Sequence, residues 1–299
     1  MKKIFILYLL IIIPHLSAQE NNLITKNQSG ETISGVVDIG KCKIHYDMRG
    51  EGTPLILIHG GFLDKRMWND QFLEFSKYFK VIEYDLRKYG LSKSEPDTFS
   101  HHEDLSLLMD KLGIKKAVIM GLSMGGYISI DFTLTHPEKV LALIPVSSGL
   151  TGYKVVDKQY MELLKKWEDI KTIEEGVELL QQYLTDGPYR KPEQVNPLVR
   201  EKIRQMYTEN ILADTNLAFK EVKTDPPAIK RLVEINVPTL TIFGDLDGSY
   251  IFEIANMIIK DVKGAKKYII KDAAHYVNME KPEEFNKAVI DFINTLKDK

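Results

Sequence analysis

Short continuous apolar runs alternate along the chain with longer segments whose apolar residues recur at helical spacing. Polar residues or glycines bound each run, which is typical of strands buried on both faces. This alternation predicts an α/β fold with a mostly parallel, doubly wound sheet of the eight-stranded type, preceded by a β-hairpin that turns at Gly40 and Lys41. The predicted strands are 36–39 and 43–46 in the hairpin, then 54–58, 80–85, 117–120, 141–146, 237–243 and 267–270. The predicted helices of this alternation are 67–79, 103–112, a helix after Ser123, 252–259 and 283–296.

The alternation of strands and helices stops between residues 151 and 234. This stretch contains prolines and helical segments but no convincing strand, and it is far too long for a simple crossover between two strands. We therefore predict a core formed by residues 32–150 and 235–299, with an inserted helical cap at 151–234. The helices predicted within the cap are 158–167, 173–183, 198–207 and a weaker one at 215–222.

Residues 1–18 have the order of a secretory signal peptide. Lys2 and Lys3 come first, an apolar run at 4–13 follows, and Leu16-Ser17-Ala18 offers small residues for cleavage. The apolar run is too short to span a bilayer, which takes about 20 apolar residues. We expect cleavage and export to the periplasm or the medium, with no stable membrane insertion afterwards. An uncleaved membrane anchor is the alternative.

Composition narrows the choice of partners. The formal net charge is −2, and no basic block suits nucleic acid or anionic lipid, so we expect neither as a partner. Cys42 is the single cysteine, which leaves no internal disulfide even in an oxidising compartment. The chain carries no signature that fixes its oligomeric state.

The strongest chemical signal is Gly121-Leu122-Ser123-Met124-Gly125, which lies between a predicted strand and a predicted helix. A strand that turns into a helix this abruptly forces a strained backbone at Ser123, and glycines on either side let the chain segments pass closely. Such a turn exposes a serine hydroxyl at the edge of the sheet. Ser123 is therefore our candidate nucleophile, with an ordinary glycine-rich turn as the alternative.

A serine hydroxyl needs a base and an acid to orient that base. His275 follows the last predicted strand, so it lies on the same rim of a parallel sheet as Ser123. The preceding strand ends at Gly244 and leads to Asp245 and Asp247. Asp247 is the better candidate for the acid because it can fold back over the rim, and Asp245 would accept backbone N–H groups of the turn. These two aspartates lack the other positions of a calcium loop, so we predict no metal site.

Acyl transfer also needs hydrogen-bond donors for the developing oxyanion. The backbone N–H of Met124, directly after the serine, is one candidate. The glycine loop after strand 54–58 supplies the other, with Gly61 as first choice and Phe62 in reserve. His59, in the same loop, is expected to bond the loop rather than to react.

These motifs resemble the α/β-hydrolase superfamily over essentially all of the chain after the signal. The match includes His59-Gly60-Gly61, the serine turn, the order Ser123, Asp247, His275 and the sequence Glu280-Lys281-Pro282. The resemblance is closest to the branch with a helical cap, which holds carboxylesterases, lactonases and carbon–carbon bond hydrolases and uses no cofactor. Serine at position 123 argues against haloalkane dehalogenases and epoxide hydrolases, which have aspartate there. The resemblance implies hydrolysis of a small-molecule ester, or lactone, through an acyl-enzyme.

Two positions depart from the family pattern, and two other functions compete with ester hydrolysis. Lys88 replaces the glycine of Asp-x-Arg-Gly-x-Gly-x-Ser, and Ala274 replaces the usual glycine before the histidine. The alternatives are a proline-iminopeptidase-like or carbon–carbon bond hydrolase, and a ligand-binding protein that keeps the fold.

Aromatic residues of the cap are candidates to line a substrate pocket. These are Tyr153, Tyr160, Trp167, Tyr183, Tyr189, Tyr207 and Phe219.

Overall fold

A computed structural model describes residues 30–213 and 219–296. The predicted signal peptide at 1–18 lies outside these residues. The strands are β1 (Ile33–Asp38), β2 (Cys42–Arg49), β3 (Pro54–Ile58), β4 (Lys80–Tyr84), β5 (Lys93–Ser94), β6 (Thr98–Phe99), β7 (Ala117–Leu122), β8 (Val140–Val146), β9 (Lys220–Glu221), β10 (Leu240–Gly244) and β11 (Lys266–Ile270). The α-helices are α1 (Asn69–Phe75), α2 (His101–Lys111), α3 (Met124–Thr135), α4 (Lys158–Glu168), α5 (Ile173–Leu180), α6 (Pro197–Ala213), α7 (Ser249–Asp261), α8 (Val277–Glu280) and α9 (Pro282–Asn294).

The central sheet has the strand order β1-β2-β4-β3-β7-β8-β10-β11, with the short β5 paired to β2. β1 and β2 form the predicted antiparallel hairpin, and β2 also runs antiparallel to β4. Every pairing from β4 through β11 along this order is parallel. The prediction of a mostly parallel α/β sheet is confirmed.

Strands β3 and β7 are apolar along their whole length, as expected for strands covered by helices on both faces of the sheet. All six residues of β7 are buried, and successive side chains point to opposite faces. Val118 and Met120 join one apolar cluster, which also holds Trp68 and Phe285. Ile119 belongs to a second apolar cluster, on the opposite face of the sheet, which includes residues of α2 and α3. The strand that leads to Ser123 is therefore held from both sides.

One helix prediction had the wrong bounds, and another was wrong. The helix expected at 67–79 is a 3₁₀ turn, Lys65–Trp68, followed by the short α1, because the chain must turn back before Lys80 bonds to the Thr53 carbonyl. The weak helix expected at 215–222 lies partly outside the described residues, and its described end forms β9, which pairs in parallel with β6. The bond from the Val222 N–H to the Phe99 carbonyl, 2.7 Å, belongs to this pairing, which overrides the local helical spacing.

Helices α4, α5 and α6 come between β8 and β10 in the chain, in the stretch predicted as the cap. A π-helical turn, Gln181–Thr185, follows α5. Tyr207 of α6 bonds to Tyr276, beside the last strand, and Asn210 bonds to Asp64, in the loop after β3. Helix α6 therefore contacts the loops at the carboxyl ends of the core strands. Among the described helices, none combines the length and the apolar character that crossing a bilayer requires.

Candidate active site

Ser123 occupies a strained turn between β7 and α3. Its φ is +58° and its ψ −107°, values that a residue with a side chain rarely adopts. A Cβ atom at Gly121 would lie 2.0 Å from the Gly125 carbonyl oxygen, and one at Gly125 would lie 2.2 Å from the Ile58 carbonyl oxygen. Glycine is needed at both positions because the strand and helix backbones approach so closely. Ser123 itself is partly exposed, as a nucleophile must be.

Asp247 and His275 meet at the edge of the sheet beside β10 and β11. Nδ1 of His275 lies 3.1 Å from Oδ1 and 3.0 Å from Oδ2 of the Asp247 carboxylate, and both side chains are buried. The Gly248 N–H also donates to Asp247 Oδ1, at 2.7 Å, which helps to fix the carboxylate. With Nδ1–H donating to the carboxylate, Nε2 carries the lone pair and is the basic nitrogen.

Nε2 of His275 is buried and has no hydrogen-bond partner among residues 30–213 and 219–296. Ser123 is thus not bonded to it in this conformation, although both residues follow parallel strands of one sheet and lie on the same edge. Catalytic hydrogen bonds are often long without substrate and shorten when substrate binds. The structure brings Asp247 and His275 together and leaves the basic nitrogen available.

Asp245 does not play the role expected of it. Its backbone N–H bonds to the Ile270 carbonyl at 3.0 Å, which ties the end of β10 to β11. Its Oδ1 is buried without a partner in the described part of the chain, so this oxygen accepts none of the expected backbone N–H bonds. The physical reason is that the backbone of this turn is already paired, with the Leu246 N–H bonded to the Ala273 carbonyl.

The glycine loop after β3 lies against the serine turn. A Cβ at Gly60 would stand 3.7 Å from Cβ of Ser123, and one at Gly61 would stand 3.8 Å from Cβ of Met124. Met124 is the first residue of α3, and the first N–H groups of a helix have no partner within it. The loop and the helix end therefore stand side by side next to the serine.

His59 holds this loop, as expected. Its Nε2 accepts the Leu86 N–H at 2.9 Å, so its Nδ1 donates to the Gly60 carbonyl at 2.8 Å. Complete burial lowers the pKa of His59 and keeps the ring neutral. Phe62, two residues past Gly60, has a φ of +59°, so the backbone of this loop is also strained.

A family model for the alpha/beta hydrolase fold matches residues 53–282. The chain belongs to the α/β-hydrolase fold family. The match extends from the start of β3 to the start of α9, and it includes Ser123, Asp247 and His275. The protein is therefore an α/β-hydrolase enzyme.

Similar proteins include both esterases and carbon–carbon bond hydrolases. Carboxylesterase YbfK of Bacillus subtilis (strain 168) is 26% identical over 269 residues, which cover 85% of this chain and 84% of the relative. The 2-hydroxy-6-oxononadienedioate/2-hydroxy-6-oxononatrienedioate hydrolase of Burkholderia vietnamiensis is 24% identical over 282 residues, which cover 90% of this chain and 97% of the relative. The solved structure of a thermophilic esterase from Thermogutta terrifontis matches with a TM-score of 0.70 and 25% identity, covering 89% of this chain and 99% of that one.

The loop after β4 in this α/β-hydrolase has Lys88 where the family has glycine. Lys88 has a φ of +78°, in the left-handed region that favours glycine. Its N–H bonds to Ser94 Oγ at 3.3 Å, and its ammonium group lies 5.1 Å from the centre of the Phe219 ring. These contacts offset part of the strain of placing a lysine there.

Among the aromatic residues predicted to line a pocket, Trp167, Tyr183 and Tyr207 lie beside loops of the candidate site. Trp167 is 38% exposed, and its ring centre lies 6.2 Å from that of Phe62, which is 37% exposed and follows Gly61. Tyr207 is fully buried and bonded to Tyr276, and its ring centre lies 6.4 Å from that of Phe62. Tyr153 bonds to Glu253, Tyr189 is exposed, Phe219 packs on Phe99, and Tyr160 contacts Tyr183.

Tyr183 and Tyr250 lie beside Asp247, the candidate acid. A Cβ at Gly248, the residue after Asp247, would lie 3.5 Å from the Tyr183 hydroxyl and 2.8 Å from the Tyr250 ring. Burial raises the pKa of Tyr183 and Tyr250, and the Asp247 charge raises both further. Both hydroxyls therefore stay protonated near the carboxylate. Sequence reasoning missed Tyr250 because it lies in α7, outside the predicted cap.

No group of three or more histidine, cysteine, aspartate or glutamate side chains is arranged to hold a metal ion in the described ranges 30–213 and 219–296. The candidate site offers a hydroxyl, an imidazole, a carboxylate and a pair of adjacent backbone segments. Together these are the groups that an acyl transfer by a serine requires.

Proposed function

We propose that this enzyme cleaves carboxylic esters, or lactones, of small to medium acyl groups through an acyl-enzyme on Ser123. The observation that carries the proposal is the His275 imidazole, which is fixed by Asp247 at Nδ1 and free at Nε2 within the described residues, on the same sheet edge as a strained, partly exposed serine. This combination supports nucleophilic catalysis by a base-activated hydroxyl. The similarity to two esterases agrees with it.

In the proposed acylation step, Ser123 Oγ attacks the carbonyl carbon while its proton passes to His275 Nε2. The carbonyl oxygen becomes an oxyanion, which the N–H groups of Met124 and of Gly61 stabilise, with Phe62 as the alternative to Gly61. The intermediate then collapses, the C–O bond to the alcohol breaks, and His275 returns the proton to the leaving oxygen. In deacylation, water attacks the acyl-enzyme by the same route and releases the acid.

Asp247 serves this cycle by holding His275 in one tautomer and by stabilising the imidazolium that forms. A buried carboxylate 3.0 Å from Nδ1 does both without accepting the proton. The Gly248 N–H keeps the carboxylate in place while the charge of the imidazole changes.

A carbon–carbon bond hydrolase is the second candidate. It rests on the similarity to the hydrolase of Burkholderia vietnamiensis, which is 24% identical over 282 residues covering 90% of this chain. That reaction would place the same three residues around a ketone in place of an ester. A proline-iminopeptidase-like activity would use them on an amide.

The test combines an active-site probe with a substrate panel. A fluorophosphonate should label the wild-type protein at Ser123, because it reacts with base-activated serines whatever their natural substrate. The panel should contain aryl esters of increasing acyl length, lactones, aminoacyl anilides and a 2-hydroxy-6-oxo-dienoate. We expect the highest kcat/KM on an ester or lactone. A higher kcat/KM on the dienoate or an anilide would replace this proposal with one of the alternatives.

We further propose that the enzyme is exported after removal of residues 1–18. Support comes from the sequence alone: two lysines, an apolar run and a small-residue end at Ala18. N-terminal sequencing of the protein recovered from the periplasm or medium should begin at Gln19. Full-length protein retained in the membrane fraction would point to an uncleaved anchor.

A further inference from the structure

One short segment of the helical insertion, residues 185–190, touches both loops of the acid–base pair. Gly187 has a φ of +73° and lies so close to these loops that a Cβ there would stand 2.7 Å from the Leu246 carbonyl oxygen and 2.8 Å from Cβ of Ala274. Leu246 precedes Asp247, and Ala274 precedes His275. The segment therefore packs on the residue before each member of the pair.

The contact explains how the chain accommodates its departure from the family pattern at Ala274. The methyl group of Ala274 occupies space that a glycine would leave empty. Gly187 provides room for it, since any side chain at 187 would collide with that methyl group. The fit between the base loop and the insertion is thus a specific complementarity of Ala274 and Gly187.

A buried ion pair joins the same segment to the base loop. The Arg190 guanidinium donates from Nη1 to Glu280 Oε2 at 2.6 Å, and Glu280 Oε1 accepts the Ala274 N–H at 2.8 Å. The side chains are 9% and 6% exposed. Glu280 therefore connects the backbone next to His275 to an arginine of the insertion.

Arg190 is itself held rigidly. Its Nε donates to the Asp186 carbonyl at 2.8 Å and its Nη2 to the Thr185 carbonyl at 2.9 Å. A guanidinium bonded on three sides has little freedom to rotate, so it can fix the carboxylate opposite it. On the other side of His275, the hydroxyl of Tyr276 bonds to that of Tyr207 in α6.

We infer that Arg190 and Glu280 are positioning residues, which set the place of His275 by clamping the base loop to the 185–190 segment. The inference rests on the proposed function, because it assigns a purpose to the position of Nε2. A buried ion pair by itself is weak grounds for stability, since desolvation offsets most of the attraction. Glu280 also accepts the Ala274 N–H beside His275, so the pair can fix the position of the base loop.

The expected effect is on rate rather than on binding. Neither Arg190 nor Glu280 is proposed to touch substrate, and a shift of about 1 Å in a catalytic group can lower a rate about 100-fold. Replacing Arg190 by Met should lower kcat by about 10- to 100-fold and should reduce the rate of fluorophosphonate labelling of Ser123 by a similar factor. The KM should change far less. Arg190→Lys keeps the positive charge but loses the planar set of guanidinium donors, so its kcat should lie between those of Arg190→Met and wild type.

The decisive variant is the double substitution Arg190→Met and Glu280→Gln. It leaves no unpaired buried charge, and the amide oxygen introduced at position 280 can still accept the Ala274 N–H, so thermal stability should recover relative to Arg190→Met. If the pair only stabilises the fold, the labelling rate and kcat should return to wild-type values together with the thermal stability. If it positions His275, both remain at least about tenfold below wild type although the protein is folded. Recovery to the wild-type rate would overturn the inference.

Arg204→Met is the matched control. Arg204 pairs with Glu178 within the insertion, and both side chains are about one-third exposed. Its loss should leave labelling and kcat within about twofold of wild type, because this pair lies within the insertion and does not bond the base loop. The two proposals fail separately: a wild-type protein that is not labelled contradicts the serine mechanism. A labelled wild type matched in rate by a folded Arg190→Met contradicts only the clamp.

Discussion

The Asp247 carboxylate presents both of its oxygens to Nδ1 of His275, at 3.1 and 3.0 Å, and it leaves Nε2 without a partner among the described residues. This arrangement separates the two nitrogens by role. Nδ1 is bound to the carboxylate, and Nε2 is the nitrogen that takes the proton in the proposed mechanism. Asp245, two residues earlier, makes no such contact.

Changing Asp247 to Asn should lower kcat by about 10⁴ while the fold is retained, because an amide can hold the imidazole in the wrong tautomer. Asp245→Asn is the matched control, and it should lower kcat far less. Steady-state kinetics on the best aryl ester, with circular dichroism to verify the fold, provides the comparison. An inactive Asp245 variant beside an active Asp247 variant would reverse our assignment of the acid.

Gly125→Ala should destabilise the protein by roughly 1–3 kcal/mol, the usual range for overpacking a dense interior. The added methyl group would lie 2.2 Å from the Ile58 carbonyl oxygen, so β3 or α3 must move. Gly176→Ala is the control, since it lies within α5 and its Cβ would come no closer than 3.7 Å to the nearest side chains. Urea unfolding should show a loss for the first and no loss, or a gain, for the second. Equal stabilities would contradict the close approach.

Shortening Trp167 to Leu should shift the preferred acyl length upward and change kcat on an acetyl ester by less than about threefold. Its ring centre lies 6.2 Å from that of Phe62, in the loop proposed to stabilise the oxyanion, so its removal should enlarge the space beside the acyl group. Tyr189→Leu, at an exposed site of the same insertion, should leave the preference unchanged. A Trp167 variant with an unaltered acyl-length profile would assign that side chain to packing alone.

Glu83 predicts a pH dependence of stability. Burial raises the pKa of this carboxyl in β4 to about 8, from an ordinary value of 4.5, and outweighs the opposing effect of the Lys65 charge. Between these two values the folded state binds a proton that the unfolded state has lost. The free energy of unfolding contributed by Glu83 therefore falls as pH rises, by up to about 1.4 kcal/mol per pH unit.

Glu83→Gln cannot titrate, so its stability relative to wild type should rise between pH 5 and pH 8. Urea unfolding at both pH values measures this difference. Glu95→Gln, at an exposed position, removes the same charge without the burial and should show no comparable trend. A Glu83 variant whose relative stability is the same at both pH values would show that this carboxyl is not buried in its neutral form.

The sequence was enough to predict the sheet, the serine turn and the residues after β10 and β11, because each depends on local pattern and on parallel strands ending at one edge. The placement of Ser123 and His275 on one edge of the sheet follows from the parallel arrangement of the strands that precede them. The partnership of Arg190 with Glu280 could not be predicted in this way, since it joins distant parts of the chain through packing of the insertion. The same holds for β9, whose pairing with β6 outweighs the helical spacing of its residues.

Other local features depended on contacts that no motif reveals. Lys88 adopts a glycine-like backbone because Ser94 and Phe219 hold it there. Asp245 leaves an oxygen unpaired within the described ranges because neighbouring strands already satisfy the backbone of its turn. Tyr207, a candidate to line the pocket, is fully buried, and its hydroxyl bonds to that of Tyr276.

Removal of the Ser123 hydroxyl tests the central claim most directly. In the proposed mechanism the serine, histidine and aspartate act as a unit, so Ser123→Ala should lower kcat on the best ester by about 10⁶ and abolish labelling by the fluorophosphonate. Stability should change little, because the backbone strain at this turn remains. Mass spectrometry of the wild-type protein should place the adduct on Ser123. A folded Ser123→Ala protein that still hydrolyses the ester at a substantial rate would contradict the account.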